Sequence, residues 1–182
     1  MVTSVLLGLA ALLTSSMTPT RPVDAFACPV TQAPVPPFVP PPPNLETPRP
    51  GSIPGARERS FWFGSPKLWT RLNEGGTWRC YRDAGSIRCF EKTLWWQQGS
   101  QAGDVRKRET PRLTVTARRL DGDHAVVAET MSGGLTTSPG SAEIGAFFLV
   151  GVQVPTPGCW EISGRLGDEE LRFTISVLGL ED

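Results

Sequence analysis

The segment CWEISGRLGDEELRFTISVL, residues 159–178, alternates apolar and polar side chains on both sides of a short polar turn. In its first half, Trp160, Ile162 and Gly164 share one face. Four apolar side chains share one face of the second half: Leu171, Phe173, Ile175 and Val177. Because successive side chains of a β-strand point to opposite faces, this period of two predicts a hairpin with one buried face, turning at GDEE, 167–170.

The same period recurs upstream of this hairpin. PRLTVTARRL, residues 111–120, places Leu113, Val115 and Ala117 on one face, and GAFFLVGVQV, 145–154, is apolar on both faces, as in a central strand. No segment of useful length shows the helical period of about 3.6 residues. Strands spaced about 10 residues apart with polar turns predict an all-β sandwich, which we place at residues 57–182.

The N-terminal 27 residues have the pattern of a secretory signal peptide. Their apolar run SVLLGLAALLTSSM, 4–17, is shorter than the roughly 20 residues that cross a bilayer. Ala25 and Ala27 give a small-x-small cleavage pattern before Cys28. We therefore expect an exported chain with no transmembrane segment after cleavage.

Residues 28–56, CPVTQAPVPPFVPPPPNLETPRPGSIPGA, contain most of the 18 prolines. Each proline fixes φ and lacks a backbone donor, so this segment is predicted to be an extended strap or linker. One interpretation makes it a ligand for a proline-binding domain. The other makes it a spacer or a strap on the domain surface, anchored by Phe38 and Val39. The second is favoured, because such partner domains are not expected outside the cell.

Cys80 and Cys89 flank the segment YRDAGSIR. If Ala84 and Gly85 form a two-residue turn, residues 80 and 89 face each other at a non-hydrogen-bonded position. Cα atoms approach to about 4.5 Å there, which allows a cross-strand disulfide. The even count of four cysteines also favours two disulfides and an oxidising compartment.

The remaining pair, Cys28 and Cys159, would attach the start of the strap to the penultimate strand. The alternative is that Cys28 carries a lipid and Cys159 is a buried free thiol. A zinc site built from His124 with Cys80, Cys89 and Cys159 is disfavoured, because structural zinc sites use more closely spaced ligand pairs.

Sequence motifs for catalysis are absent. The single histidine excludes H-E-x-x-H, and there is no G-x-S-x-G, phosphate-binding or dinucleotide-binding loop. We therefore predict no catalytic residues, no metal and no cofactor. Paired carboxylates for glycoside hydrolysis leave a secreted carbohydrate-active enzyme as the alternative function. The candidate carboxylates are Glu91, Glu109, Glu129, Glu143 and Glu161.

Charge argues against nucleic-acid binding, because Lys+Arg and Asp+Glu both total 18 and phosphate binding needs a basic excess. RKRETPRLTVTARRL, residues 106–120, carries six basic side chains. They could face an anionic surface, but a solvated edge protected from aggregation is the favoured interpretation.

Six tryptophans are the other unusual feature. Trp95 and Trp96 are adjacent, so they point to opposite faces of a sheet, and one of them is expected to be exposed or covered by the strap. Exposed aromatic patches mark interaction surfaces, whereas aromatic grooves also accept polyproline segments. Trp62, Trp95 and Trp96 are therefore the candidate binding platform.

Several segments together resemble a family of bacterial exported proteins, some of them lipoproteins: ACPVTQ…PPFVPP, FWFG…LWTRL, GTW, KTLWW, LTVTARRLDG, and PTPGCWEISG followed by LRFTISV. The resemblance covers nearly all of the mature chain. It implies a secreted or envelope-attached immunoglobulin-like β-sandwich and no activity. The Cys80–Cys89 hairpin is not part of the family pattern. We predict a non-enzymatic binding or structural module of the cell envelope, with an envelope glycan or protein as partner.

Overall fold

The computed structural model describes residues 26–41, 60–99, 113–134 and 147–180. These ranges contain eleven strands and no helix, and therefore no helix that could cross a membrane. The strands are β1 (Ser60–Gly64), β2 (Leu68–Asn73), β3 (Thr77–Arg79), β4 (Tyr81–Asp83), β5 (Ser86–Gln97), β6 (Thr114–Arg119), β7 (Ala125–Val127), β8 (Glu129–Gly134), β9 (Phe147–Val154), β10 (Gly158–Leu166) and β11 (Glu169–Leu178).

The strands form two sheets, which confirms the all-β prediction. The first sheet has the order β1-β2-β5-β9-β8, with β4 paired to the start of β5. The second has the order β3-β11-β10-β6-β7. Among the described strands, β3 and β11 are parallel and the other neighbours are antiparallel.

The hairpin expected from residues 159–178 is β10–β11, with Trp160 opposite Ile175 and Ile162 opposite Phe173. Its apolar face is buried against the first sheet. The turn is tighter than GDEE, because β11 already begins at Glu169. Gly167, with φ at 60°, takes the left-handed conformation that a two-residue connection requires.

The core lies between the sheets, and its centre is the indole of Trp95, which is 0% exposed. The ring of Phe173 lies 5.7 Å from it, centroid to centroid. A Cβ atom at Gly164 would lie 2.4 Å from the Trp95 ring, so only glycine fits at this position of β10. The predicted central strand is β9, which lies between β5 and β8 and buries Val150 and Val152 completely.

Of the proline-rich segment, the structure describes residues up to Pro41. Residues 26–41 are called the strap from here on, and they belong to neither sheet. Thr31 donates its backbone N–H to the Thr174 carbonyl at 3.0 Å and accepts the Thr174 N–H on its hydroxyl at 2.8 Å. Val30 packs into the space that Gly76 leaves open. The predicted signal peptide up to residue 25, the rest of the proline-rich segment and the predicted domain start at residue 57 lie outside the described residues.

Candidate binding face on the first sheet

A disulfide joins Cys28 to Cys159, which confirms the predicted attachment of the strap; the two Cα atoms are 5.4 Å apart. Trp160 and Ile162 point into the core, so Cys159 lies on the outer face of the second sheet. Its side chain is nevertheless buried, with the strap attached to it. The lipid alternative for Cys28 needs the same sulfur atom that forms this bridge.

The turn that precedes Cys159 is held from the side by Arg119. Its guanidinium donates to the Asp121 carboxylate at 2.6 Å and to the Thr156 hydroxyl at 2.9 Å. The hydrogen bond from Arg119 lowers the pKa of Asp121 below its ordinary value. The indole N–H of Trp160 donates to the Thr156 carbonyl at 3.1 Å. These contacts fix the position from which Cys159 reaches the strap.

The second disulfide, Cys80–Cys89, closes the β4–β5 hairpin with the predicted register. Arg82 pairs with Ile87, and the turn is Ala84–Gly85. Both turn residues have positive φ, 45° and 84°, as a type I′ turn requires.

This bridge also joins the two sheets. Cys80 donates its backbone N–H to the carbonyl of Leu178 in the second sheet, whereas Cys89 pairs with Val154 in the first. The sulfur atoms of the proposed zinc ligands are therefore all used in disulfides. His124 is exposed, and the described part of the chain brings together no metal-binding group of side chains.

The three tryptophans of the candidate platform are buried in the conformation described. Trp95, Trp96 and Trp62 are 0%, 3% and 6% exposed. Trp95 and Trp96 do point to opposite faces, as the alternation predicted. Trp95 fills the core and donates its indole N–H to the Thr93 hydroxyl at 2.8 Å. Trp96 lies on the outer face of the first sheet, in a cluster on which Phe38 of the strap packs.

The outer face of the first sheet carries an aromatic cluster made of Trp62, Trp69 and Trp96. Trp62 and Trp96 meet edge to face, with their centroids 5.2 Å apart. Trp69 pairs directly with Trp96 across the β2–β5 ladder. Phe147 borders the cluster from β9, and Phe38 packs on it from the strap. The alternative that the strap covers the tryptophans therefore agrees with the packing.

Three buried side-chain polar atoms of the described residues have no hydrogen-bond partner: Ser60 Oγ, Trp69 Nε1 and an Arg71 guanidinium nitrogen, Nη1. All three belong to the β1–β2 hairpin and point to the outer face, since Trp62 is paired with Arg71 and Ser60 with Asn73. An unpaired buried polar group costs about 1–3 kcal/mol. Three such atoms on one hairpin, beside the aromatic cluster, together reduce the stability of this part of the fold.

A depression opens beside these atoms, because β2 and β5 are paired only as far as Thr70 and Trp95. Burial lowers the pKa of Arg71 on its wall, and the nearby carboxylate of Glu91 opposes that shift. The depression is lined by Arg71, Leu72, Asn73, Gly76, Thr77, Trp78, Glu91, Lys92, Thr93 and Ile175. Its polar wall thus has two basic side chains and one acidic one.

The candidate catalytic carboxylates do not form a pair where the structure describes them. Glu91 lies on β5 in the first sheet, and Glu161 lies on β10 in the second. Glu109 and Glu143 fall outside the described residues, as does the side chain of Glu129.

The described part of the basic segment is paired with acidic side chains. Arg118 donates to Glu161 at 3.2 Å, and Arg119 pairs with Asp121. Arg172 adds a second basic neighbour to Glu161 at 3.8 Å. The interpretation as a sheet edge does not hold for this part, because β6 lies between β10 and β7. Residues 106–112 lie outside the described ranges.

Sequence reasoning missed Ser60, Trp69 and Arg71. The signal was present, because the segment LWTRL alternates and places Trp69 and Arg71 on the face opposite Leu68. Searches with protein-family models, among curated proteins and among solved structures found no match to this chain.

Proposed function

We propose that this chain is an exported, non-enzymatic binding module of the bacterial cell envelope, and that the outer face of its first sheet is the binding site. The observation that carries the proposal is the indole N–H of Trp69. It is buried in the aromatic cluster, where Trp69 is only 1% exposed, and it has no acceptor among the described residues. Two intramolecular disulfides indicate an oxidising, extracytoplasmic environment, which supports export.

The strand order supports an immunoglobulin-like classification, as the resemblance in the sequence implied. In the usual lettering, β2, β5, β9 and β8 take the places of A, B, E and D, and β7, β6, β10 and β11 those of C′, C, F and G. Trp95 on the B-like strand packs on Gly164 of the F-like strand, where antibody domains have their inter-sheet disulfide.

In this proposal the strap is an occupant that a ligand replaces. The strap is firmly attached at Cys28 and at Thr31, through the disulfide and two hydrogen bonds. From residue 34 onward it is rich in proline, and prolines donate no backbone hydrogen bond. Phe38 meets the aromatic cluster by packing. The proposal is that this part of the strap lifts while its base stays in place.

The variant Phe38→Ala tests the proposal. Removing a half-buried phenylalanine weakens the cover by an amount near 1.4 kcal/mol, so a ligand that competes with it should bind about tenfold tighter. Binding is measured by tryptophan fluorescence and calorimetry with soluble peptidoglycan fragments, oligogalacturonate and neutral dextran oligomers.

The matched control is Val39→Ala, because Val39 is the next residue of the strap and is 79% exposed. Tighter binding of one or more polymers in Phe38→Ala, and not in Val39→Ala, supports the proposal. If both variants bind every polymer as the parent does, or not at all, this face is not a binding site for envelope polymers.

A further inference from the structure

We infer that the binding face takes an anionic saccharide, with the Trp69 indole, the Ser60 hydroxyl and the Arg71 guanidinium as its hydrogen-bond donors. This inference rests on the proposed function and adds the chemical class of the ligand. The anionic group is a carboxylate or a phosphate, since a guanidinium pairs with both.

The first argument is that the unpaired atoms are alike in chemistry and location. An indole N–H and a guanidinium N–H can only donate, and a hydroxyl can donate. All three lie on one hairpin, on the face that Phe38 covers in part. A phenyl ring offers no oxygen to these donors, so the strap matches the apolar part of the site and leaves its polar part unmatched.

The second argument is charge. Of the charged side chains that line the depression, Arg71 and Lys92 are basic and Glu91 is acidic. Arg71 is half-buried, and the carboxylate of Glu91 acts on it electrostatically. The lining thus has one more basic than acidic side chain, and an anion at Arg71 would balance that charge.

The aromatic cluster beside the donors is the reason for inferring that the rest of the ligand is a sugar. The ring centroids of Trp62 and Trp96 lie 5.2 Å apart, edge to face, on the same sheet face as the donors. Their surfaces would become accessible only when the strap is displaced. The negative face of an aromatic ring attracts the C–H face of a pyranose, while hydroxyl and carboxylate oxygens at the ring edge accept hydrogen bonds. Arg71 pairs across the β1–β2 ladder with Trp62, so stacking and anion binding can occur on one sugar unit.

The test uses Phe38→Ala as the parent and measures oligogalacturonate, its neutral methyl ester and a phosphorylated dextran oligomer. We expect the methyl ester to bind at least about tenfold more weakly than the acid, because a hydrogen bond to a charged group is lost. Comparable binding of the phosphorylated oligomer would identify phosphate as the second source of the same chemistry.

Two substitutions then examine the donors. Trp69→Phe keeps an aromatic ring and removes the unpaired N–H, so the protein should be as stable as the parent or more so, while affinity for the acid falls about threefold to tenfold. Arg71→Gln should lower that affinity about 10- to 100-fold. Arg172→Gln on the second sheet removes the same charge and should leave affinity unchanged.

If Trp69→Phe fails to fold, Ser60→Ala serves as the second test. It removes one hydroxyl donor and should lower the affinity for the acid by a smaller factor. Equal affinity for the acid and its methyl ester would overturn the ligand class and leave the binding face intact. Reduced stability of Trp69→Phe or Ser60→Ala with unchanged affinity would show that these atoms are structural. Binding of no polymer by Phe38→Ala would instead overturn the proposed function itself.

Discussion

At the scale of single residues, the packing of Trp95 in the core depends on the absence of a side chain at Gly164. The alternation in residues 159–178 correctly placed Gly164 on the buried face with Trp160 and Ile162. It could not reveal that Trp95 lies above it, because the period of a strand identifies its buried face and not the partner across the core. The same limit hid Trp69 and Arg71, whose importance comes from neighbours on β1 and β5.

Gly164→Ala is expected to destabilise the protein by about 1–3 kcal/mol, because the added methyl group overlaps the Trp95 ring. Denaturant unfolding followed by tryptophan fluorescence measures the change. Gly179→Ala is the control, since its Cβ would have its nearest neighbour at 3.8 Å. A Gly164→Ala protein as stable as the control would mean that the core adapts at this point.

At the scale of elements, the best-predicted parts were those with short-range rules. The Cys80–Cys89 hairpin followed from the two-residue turn, and β10–β11 followed from alternation. The parallel pairing of β3 with β11 was not predicted, because β3 has only three residues and its partner lies about a hundred positions away in the chain. The order of the strands in the two sheets could not be predicted from the alternation either.

The turn before Cys159 provides a pH prediction. Because Arg119 lowers the pKa of Asp121 in the folded state, the folded state holds a proton there less readily than the unfolded state. The stabilisation is present above the unfolded pKa of about 3.9 and disappears as the pH falls through the lower folded pKa.

Asp121→Asn should therefore lower the unfolding midpoint modestly near pH 7, since both side chains are partly exposed, at 23% and 26%, and water screens the pair. The difference between parent and variant should shrink as the pH approaches about 2. Unfolding curves of both proteins across this range measure it. A difference that is constant with pH would mean that the ionisation of Asp121 does not contribute to it.

At the scale of the whole molecule, the two disulfides hold together parts that the strands do not pair. Cys28–Cys159 spans 131 positions and fixes the strap, whereas Cys80–Cys89 spans 9 and joins the two sheets. Both pairings could be predicted, one from turn geometry and the other because two cysteines remained. The path of the strap from the second sheet to the outer face of the first could not be predicted. It depends on Gly76, Thr174 and the aromatic cluster together.

The long bridge should contribute more to stability than the short one. Loop-closure entropy gives about 5 kcal/mol for Cys28–Cys159 and about 3 kcal/mol for Cys80–Cys89. The double variants Cys28→Ser/Cys159→Ser and Cys80→Ser/Cys89→Ser, unfolded in denaturant, compare them. A larger loss in the second variant would show that holding the sheets together outweighs restricting the unfolded chain.

The two bridges are nested, with Cys80–Cys89 inside the loop that Cys28–Cys159 closes. When the chain emerges with its N-terminus first, Cys28 can meet Cys80 well before Cys159 has emerged. Oxidation in order of appearance would join Cys28 to Cys80 and Cys89 to Cys159, and only thiol–disulfide exchange corrects that isomer. We therefore expect maturation of this protein to need thiol–disulfide exchange, because an oxidant alone would leave part of the chains with the wrong pairing.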